Sequence, residues 1–382
     1  MSAAKWRRAM NTGLTGAVPR PVPVPGGRAP AAAPVVDDPH ADSDAPRWIK
    51  FLWRTLSPRH VFVLAFVLLL PLVASPFLVY QVAAQALIFG LIALSLTFLA
   101  GYGGMVSLAQ MTVAGMAGYA VAVLGASGTA SSLGWPWWVV IPFALAIAVL
   151  GSTLIGWLSV RTDGIYTIMI TLAIGVAFYY LVLQNYTLFN GFQGFQKVYP
   201  PQVLGINWRD PVPFYFLALT CAMAGYFLIQ WLVRTPFGIA LQGIRDNPRR
   251  MNSLGFHVTA HRVAAYAVSG LLAGAGGVLL VWYNGLITPG SVGTGWLINV
   301  LVIAVLGGMK HPIGAFLGAI VFILLQTFAI DLIDRERFNL VIGGVFLAIV
   351  LFSPDGLLGL WAKLRSRFGP NQVLTSTTRR QA

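Results

Sequence analysis

The sequence predicts an all-α integral membrane protein with about ten transmembrane helices, cytoplasmic N- and C-termini and a disordered basic N-terminal tail. Three observations carry that prediction. Residues 61–160 contain no Asp, Glu, Lys, Arg or His, where a soluble chain would place about twenty-five charges. Further uncharged runs cover 263–309, 312–330 and 338–354. A charge at the bilayer centre costs roughly 2.5–3.5 kcal/mol on insertion scales, a penalty water does not impose, so the pattern reflects selection by lipid. The composition agrees: 57% hydrophobic, 9% charged and mean hydropathy +0.75 over 382 residues suit neither a soluble domain nor a disordered chain. Finally, the basic residues are segregated into the tails and a few loops, outside the apolar runs.

In chain order, residues 1–46 form a Pro/Ala-rich tail that cannot bury a core. No apolar h-region follows Lys5, Arg7 and Arg8, so a signal peptide is not expected. In 47–60, Arg47, Lys50 and Arg54 fall at helical spacing among Trp48, Phe51 and Leu52, which predicts a basic helix lying in the membrane interface. A plain flank of positive charge before the first span is nearly as good a reading. Residues 61–355 then form the membrane domain, and 356–382 a basic cytoplasmic tail. A span needs about twenty apolar residues. Dividing the runs at Gly, Pro and polar clusters gives spans at 61–80, 83–100, 105–124, 137–159, 165–183, 213–233, 262–282, 296–309, 312–331 and 338–353. The segment 105–124 carries Ser107, Gln110 and Thr112, and 296–309 is short, so either is open to being a broken or re-entrant helix. With the N-terminus inside, only Lys197, Arg209, Arg335 and Arg337 of the 25 Lys and Arg fall on the outer side. That bias supports an even number of crossings with both termini cytoplasmic.

The chain lacks the residues that would make it an enzyme. There is no G-x-x-x-x-G-K-[ST] phosphate loop. His40, His60, His257, His261 and His311 fall in tails or short loops, and no two carboxylates share a span, so no catalytic, metal-binding or cofactor-binding constellation is predicted. Proton-driven carriers usually keep an acidic or His relay within the membrane, and the one near candidate, Asp331, sits at a span end. The single cysteine, Cys221, excludes an intrachain disulfide. The net charge of +14 is topological, and no nucleic-acid partner is expected.

The most informative loop is 234–255. Asp246 or Asn247 is a good N-cap, Pro248 suits the first helical position, and Gly255 suits a stop. Residues 249–254 would then form a short helix with Met251 and Leu254 on one apolar face, flanked by Arg249 and Arg250. Such a knob fits a groove on another protein. On pattern alone, an ordinary basic loop obeying the same charge rule is the better reading.

Resemblance reverses that order. Phe237, Gly238, Ile244, Arg245, Asn247, Leu254 and Gly255 match the F-G-x5-I-R-x-N pattern and closing L-G of branched-chain amino acid ABC importer permeases. Gly101, Tyr102, Gly104, Ser107, Leu108 and Gln110 resemble that family's G-Y-x-G-x-x-S-L-x-Q. Gly164, Tyr166, Thr171 and Leu172 resemble its G-x-Y-x-x-x-x-T-L, and the glycines of 273–277 and 307–318 resemble its late segments. The likeness is collinear over roughly 85–355. Three departures stand out: Lys310 in place of a third glycine, the loop 190–194, and Asn252 for an alanine. The glycines also have a packing meaning, since Gly270 and Gly274, like Ala273 and Gly277, are spaced for close helix approach in lipid.

The resemblance implies a permease subunit that translocates branched-chain or related small amino acids by ATP-driven alternating access in a bacterial inner membrane. It implies a second homologous permease, two ABC ATPase subunits and an extracytoplasmic substrate-binding protein as partners, besides membrane lipids. It makes the loop from Phe237 to Gly255, with Asp246 inside it, the ATPase-coupling element. Urea or short amides are alternative substrates, and an ion-driven transporter is the rival class. Ser107, Gln110, Thr112, Thr171 and Asn299 are candidates to line the path; each also reads as a helix-packing hydrogen bond.

Overall fold

The computed structural model describes residues 70–71, 74–125, 132–162, 164–202, 205, 207–332, 343–344, 347 and 356–359. The predicted tail 1–46, interfacial helix 47–60, most of span 61–80, nearly all of span 338–353 and most of tail 356–382 lie outside them. The helices are α1 Leu78–Gly103, α2 Gln110–Leu124, α3 Trp137–Ser159, α4 Ile165–Gln184, α5 Pro211–Val233, α6 Pro236–Asp246, α7 Pro248–Ser253, α8 Val258–Asn284, α9 Thr294–Gly307 and α10 Pro312–Leu332. A two-residue antiparallel ladder joins β1 (Phe195–Gln196) to β2 (Leu286–Ile287), with Phe195 opposite Ile287.

Apolar side chains all round a helix bury it from every side, and α1 is the extreme case. Protein covers 83% of its most apolar window, against 33% for α3 and 28% for α4. Glycine makes that enclosure possible: a Cβ at Gly90 would lie 2.5 Å from the Phe316 ring of α10. The other neighbours are α8 and α5, where a Cβ at Gly276 would meet Ile92 at 2.5 Å and one at Gly225 would meet Leu91 at 2.6 Å. By contrast, α3 turns Trp138, Phe143, Leu150, Leu154 and Trp157 outward, a bulky stripe with tryptophan at both ends that suits lipid and its interfaces. The glycine spacing in α8 does what its pattern predicts. Gly270 and Gly274 pack on Ser152 and Ala148 of α3, while Gly277 meets the Ala114 carbonyl of α2.

Among the described residues, five helices are long and apolar enough to cross a membrane: α1, α3, α4, α5 and α8. They correspond to the predicted spans 83–100, 137–159, 165–183, 213–233 and 262–282. The predicted 105–124 differs, because its helix begins only at Gln110 and has 15 residues. At 1.5 Å per residue that is about 22 Å, short of a core about 30 Å thick. The cause is Gly104, whose left-handed φ of 67° ends α1 and starts a non-helical stretch, 104–109. The 14-residue α9 is short as well, and the chain turns through 116° from it into α10.

Contacts sort the helix termini into two ends. Gly101 packs on the Met309 carbonyl, and Arg245 bonds the Gly101 carbonyl, which brings together the end of α1, the end of α6 and the α9–α10 turn. At the other end Tyr80 stacks on Tyr283 with centroids 4.7 Å apart, and Gly285 abuts Tyr199. The first end carries Arg161, Arg234, Arg245, Arg249, Arg250, Arg262 and Lys310 and is called the basic end below. At the opposite end are Lys197 and Arg209, the latter lying over the Tyr199 ring at 4.2 Å.

Candidate functional site

Two places bring the sequence-predicted residues together: the start of α2 inside the bundle and the segment 234–257 at the basic end.

Non-helical backbone at membrane depth must find partners within the protein. In 104–109 the Met105 N–H donates to the Leu99 carbonyl at 3.1 Å, the Leu108 N–H to Thr171 Oγ1 at 3.1 Å, and the Ala109 N–H to Ser107 Oγ at 3.3 Å. Thr171 Oγ1 in turn donates to the Ile168 carbonyl at 3.0 Å. At the next residue, the side-chain oxygen of Gln110 lies 2.9 Å from both Ser95 Oγ of α1 and Ser269 Oγ of α8. Ser95 Oγ is also 2.6 Å from the Ile92 carbonyl, and Ser269 Oγ is 3.2 Å from the Ser95 carbonyl. Gln110 thus ties three helices together in a region of the sequence that holds no charge.

Ser107, Gln110, Thr112 and Thr171 are all buried and cluster around this turn. Two buried polar atoms there have no hydrogen-bond partner among the described residues, the Gln110 amide nitrogen and Thr112 Oγ1. Thr112 faces α4 and α9 where Gly175 makes room, since a Cβ at Gly175 would be 3.0 Å from Thr112 Oγ1 and 2.8 Å from Leu297. Asn299 sits elsewhere on α9, half-buried, and among the described residues it hydrogen-bonds to none of the other four. Ser95 and Ser269 belong to the cluster but were not predicted. A serine in a long apolar helix ordinarily bonds its own preceding carbonyls, and nothing local marks these two as different. A cavity of about 260 Å³ opens nearby, lined by Gly104, Met105 and Val106, by Thr167 and Ile168, and by Arg262 among others. The first three residues of the non-helical stretch thus form part of its wall, and Ser107, Gln110, Thr112 and Thr171 do not line it.

At the basic end the loop is better ordered than its composition suggests. Thr235 caps α6, its hydroxyl accepting from the Gly238 N–H at 3.4 Å, and Pro236 takes the first helical position. The helix buries Gly238, Ala240, Leu241 and Ile244, and a side chain at Gly238 would strike the Leu232 carbonyl and Val233. Phe237 stacks on His261 with centroids 5.8 Å apart. Arg245 turns inward: its Nη1 donates to the Gly101 carbonyl at 2.5 Å, its Nη2 pairs with Asp246 at 2.9 Å, and its Cγ lies 2.7 Å from where a Cβ at Gly104 would be. Asp246 closes α6, and Asn247 is the N-cap of α7, accepting from the Arg250 N–H at 2.9 Å. Gly255, with φ 89°, follows the stop.

Two details differ from the sequence reading. A second helix, α6, precedes the predicted short one. The expected shared face of Met251 and Leu254 is split, because Met251 folds back so that its sulfur covers Gly243, where a Cβ would be 2.9 Å away. Leu254 points outward instead, 67% exposed, with Phe256 beside it in sequence and Arg249 and Arg250 exposed on the same segment.

A model of the branched-chain amino acid transport system permease component matches residues 78–350. Over 318 residues, 76% of this chain and 73% of the relative, the sequence is 26% identical to the high-affinity branched-chain amino acid transport system permease protein LivM of Salmonella typhimurium. Shorter matches reach 30% identity with the nucleoside ABC transporter permease protein NupC of Lactococcus lactis subsp. cremoris, covering 30% of this chain and 35% of that protein. Identity is 29% with the autoinducer 2 import system permease protein LsrC of Photorhabdus laumondii, covering 39% and 44%. No solved structure matches.

Proposed function

Because the chain belongs to the branched-chain amino acid transport system permease component family, we propose that it is the membrane-spanning subunit of an ABC importer for branched-chain amino acids. ATP hydrolysis by two separate ATPase subunits drives alternating access, a substrate-binding protein delivers the amino acid at the opposite end, and a second homologous permease completes the conduit. The observation that carries this reading is the construction of the segment 235–255. Two capped helices hold Leu254, Arg249 and Arg250 outward while Arg245 ties the same segment to the end of the central helix. A push on α7 from an ATPase is thereby delivered to α1 and to the non-helical stretch beyond it.

The topology follows the same logic. Residues 104–124 cross once as an extended stretch plus α2, and α9 and α10 are two crossings joined at the basic end. With 61–80 and 338–353 these make ten, the basic end is cytoplasmic, and both termini lie on that side of the bacterial inner membrane. Positive-inside bias supports that orientation. The substrate path runs past Ser107, Gln110, Thr112 and Thr171, with Asn299 on its α9 side.

The test is physical association. The complex is co-expressed with its ATPases and the permease is captured by an affinity tag. Leu254→Asp places a charge where an apolar knob would be buried, so ATPase recovery is expected to fall at least tenfold while the amount of membrane-inserted permease is unchanged. Full recovery of the ATPases with this variant would remove the docking role from α7.

A further inference from the structure

The cavity of about 260 Å³ lies at the basic end, among the ends of α1 and α3 and the starts of α4 and α8. At about 30 Å³ per water molecule, it has room for a solute of leucine's size. Its walls divide by chemistry. Met105, Val106, Val160 and Ile168 make an apolar side, and Thr162, Thr167 and Arg262 a polar one. Arg262 is the one charged side chain among the described residues that line it. A mostly apolar pocket with a few convergent polar groups is the usual form of a small-molecule site.

The direction of the hydrogen bonds makes the polar side two-signed. Thr162 Oγ1 donates to the Ser159 carbonyl at 2.9 Å, and Thr167 Oγ1 donates to the Thr162 carbonyl at 2.7 Å. A hydroxyl has a single proton but two lone pairs. With both protons committed, the two hydroxyls, 3.4 Å apart, present oxygen lone pairs. Those suit an ammonium group. Arg262 is the reverse, a guanidinium with donors and no acceptor, and its fork suits a carboxylate. The arginine's helix is held firmly: one turn on, the Tyr266 carbonyl accepts from Ser152 Oγ of α3 at 2.6 Å, and a Cβ at Gly156 would lie 2.6 Å from the Tyr266 side chain. The facing wall is freer. Helix α4 is the least covered of the five long spans, and a Cβ at Gly164, just before it, would meet nothing within 4 Å.

We propose that this cavity holds the transported amino acid at the basic end before its release. Arg262 takes the α-carboxylate, Thr162 and Thr167 take the ammonium, and the apolar wall takes the branched side chain. This rests on the transport reading above and adds to it a selection made by the permease itself, for a zwitterion with an apolar side chain. An uncharged amide offers neither charge and gains nothing from the pairing. Release follows when the start of α4 swings away from α8.

Ligand analogues separate the two contacts. Leucinamide keeps the ammonium and the side chain but lacks the carboxylate, and isocaproate keeps the carboxylate and the side chain but lacks the ammonium. Saturation-transfer NMR on the detergent-purified wild-type complex should show leucine bound about tenfold tighter than either, as expected for one charge-assisted contact. In Arg262→Gln the preference over leucinamide is lost and that over isocaproate is kept. In Thr167→Val the preference over isocaproate falls severalfold and that over leucinamide is kept. A residue that only supports the fold, or a charge that only sets topology, moves both preferences together or neither. Equal binding of leucine and either analogue by the wild type, an unchanged preference over leucinamide in Arg262→Gln, or both preferences moving together in either variant overturns the site. With ATPase capture and leucine uptake intact in the wild type, the transport reading then stands. A wild-type complex that captures no ATPase and accumulates no leucine overturns the transport reading and this site with it.

Discussion

Replacing Arg245 by alanine should separate ATP hydrolysis from transport without detaching the ATPases. The side chain makes one charge-assisted hydrogen bond to the Gly101 carbonyl and one ion pair with its neighbour Asp246. A hydrogen bond to a charged group contributes about 1.5–3 kcal/mol. The ion pair has side chains 39% and 67% exposed, so solvent screening holds it within about 0–1 kcal/mol. The same screening puts the carbonyl bond near the bottom of its range. About 1.5 kcal/mol of coupling is therefore lost, which corresponds to roughly a tenfold change in a linked equilibrium. The assay is paired measurement on one batch of proteoliposomes, leucine accumulated against phosphate released. Leucine moved per ATP should drop about tenfold in Arg245→Ala and by less in Arg245→Lys, which keeps one donor but loses the planar fork. An unchanged ratio in Arg245→Ala would show that the link between α6 and α1 carries no transport work.

Two further outcomes test other parts of the fold. Gly277 lies against the Ala114 carbonyl with no room for a side chain, so Gly277→Val should force α8 away from α2 and lower the thermal midpoint of the purified complex by several degrees, while Ala260→Val, at an exposed position in the first turn of the same helix, should leave it within a degree. Reporter fusions at Lys197 and Gly290 should read as periplasmic and fusions at Gly255 and Gln372 as cytoplasmic; a cytoplasmic reading at Lys197 would refute the crossing assigned to 104–124.

The long spans were legible because their limits are written in single residues. Pro136 and Pro211 open α3 and α5, Gly164 precedes α4, and the left-handed Gly285 ends α8. Asn247, Pro248 and Gly255 marked α7 for the same reason. What stayed hidden depends on partners distant in sequence. The late start of α2 is stable because Thr171, 63 residues away, accepts the Leu108 N–H. Helix α6 was hidden by Pro236, Gly238 and Gly243, which read as loop residues; in the fold the proline opens the helix and the glycines admit Val233 and Met251. Arg245 resembled a docking residue, and its contact with Gly101 lies 144 residues off.

The enclosure of α1 sets an order on biosynthesis. A helix with protein on nearly every side must first enter lipid with most of those neighbours still unmade. Its partner α8 ends at Asn284, and at 5–20 residues per second the ribosome needs about 10–35 s to get there from Gly103. Throughout that interval the Ser95 hydroxyl faces acyl chains or early neighbours, without Ser269. The short bond from Ser95 Oγ to the Ile92 carbonyl lies within α1 itself, so it needs no other helix. That internal bond lets a polar side chain wait in the membrane until α2 and then α8 arrive to make use of it.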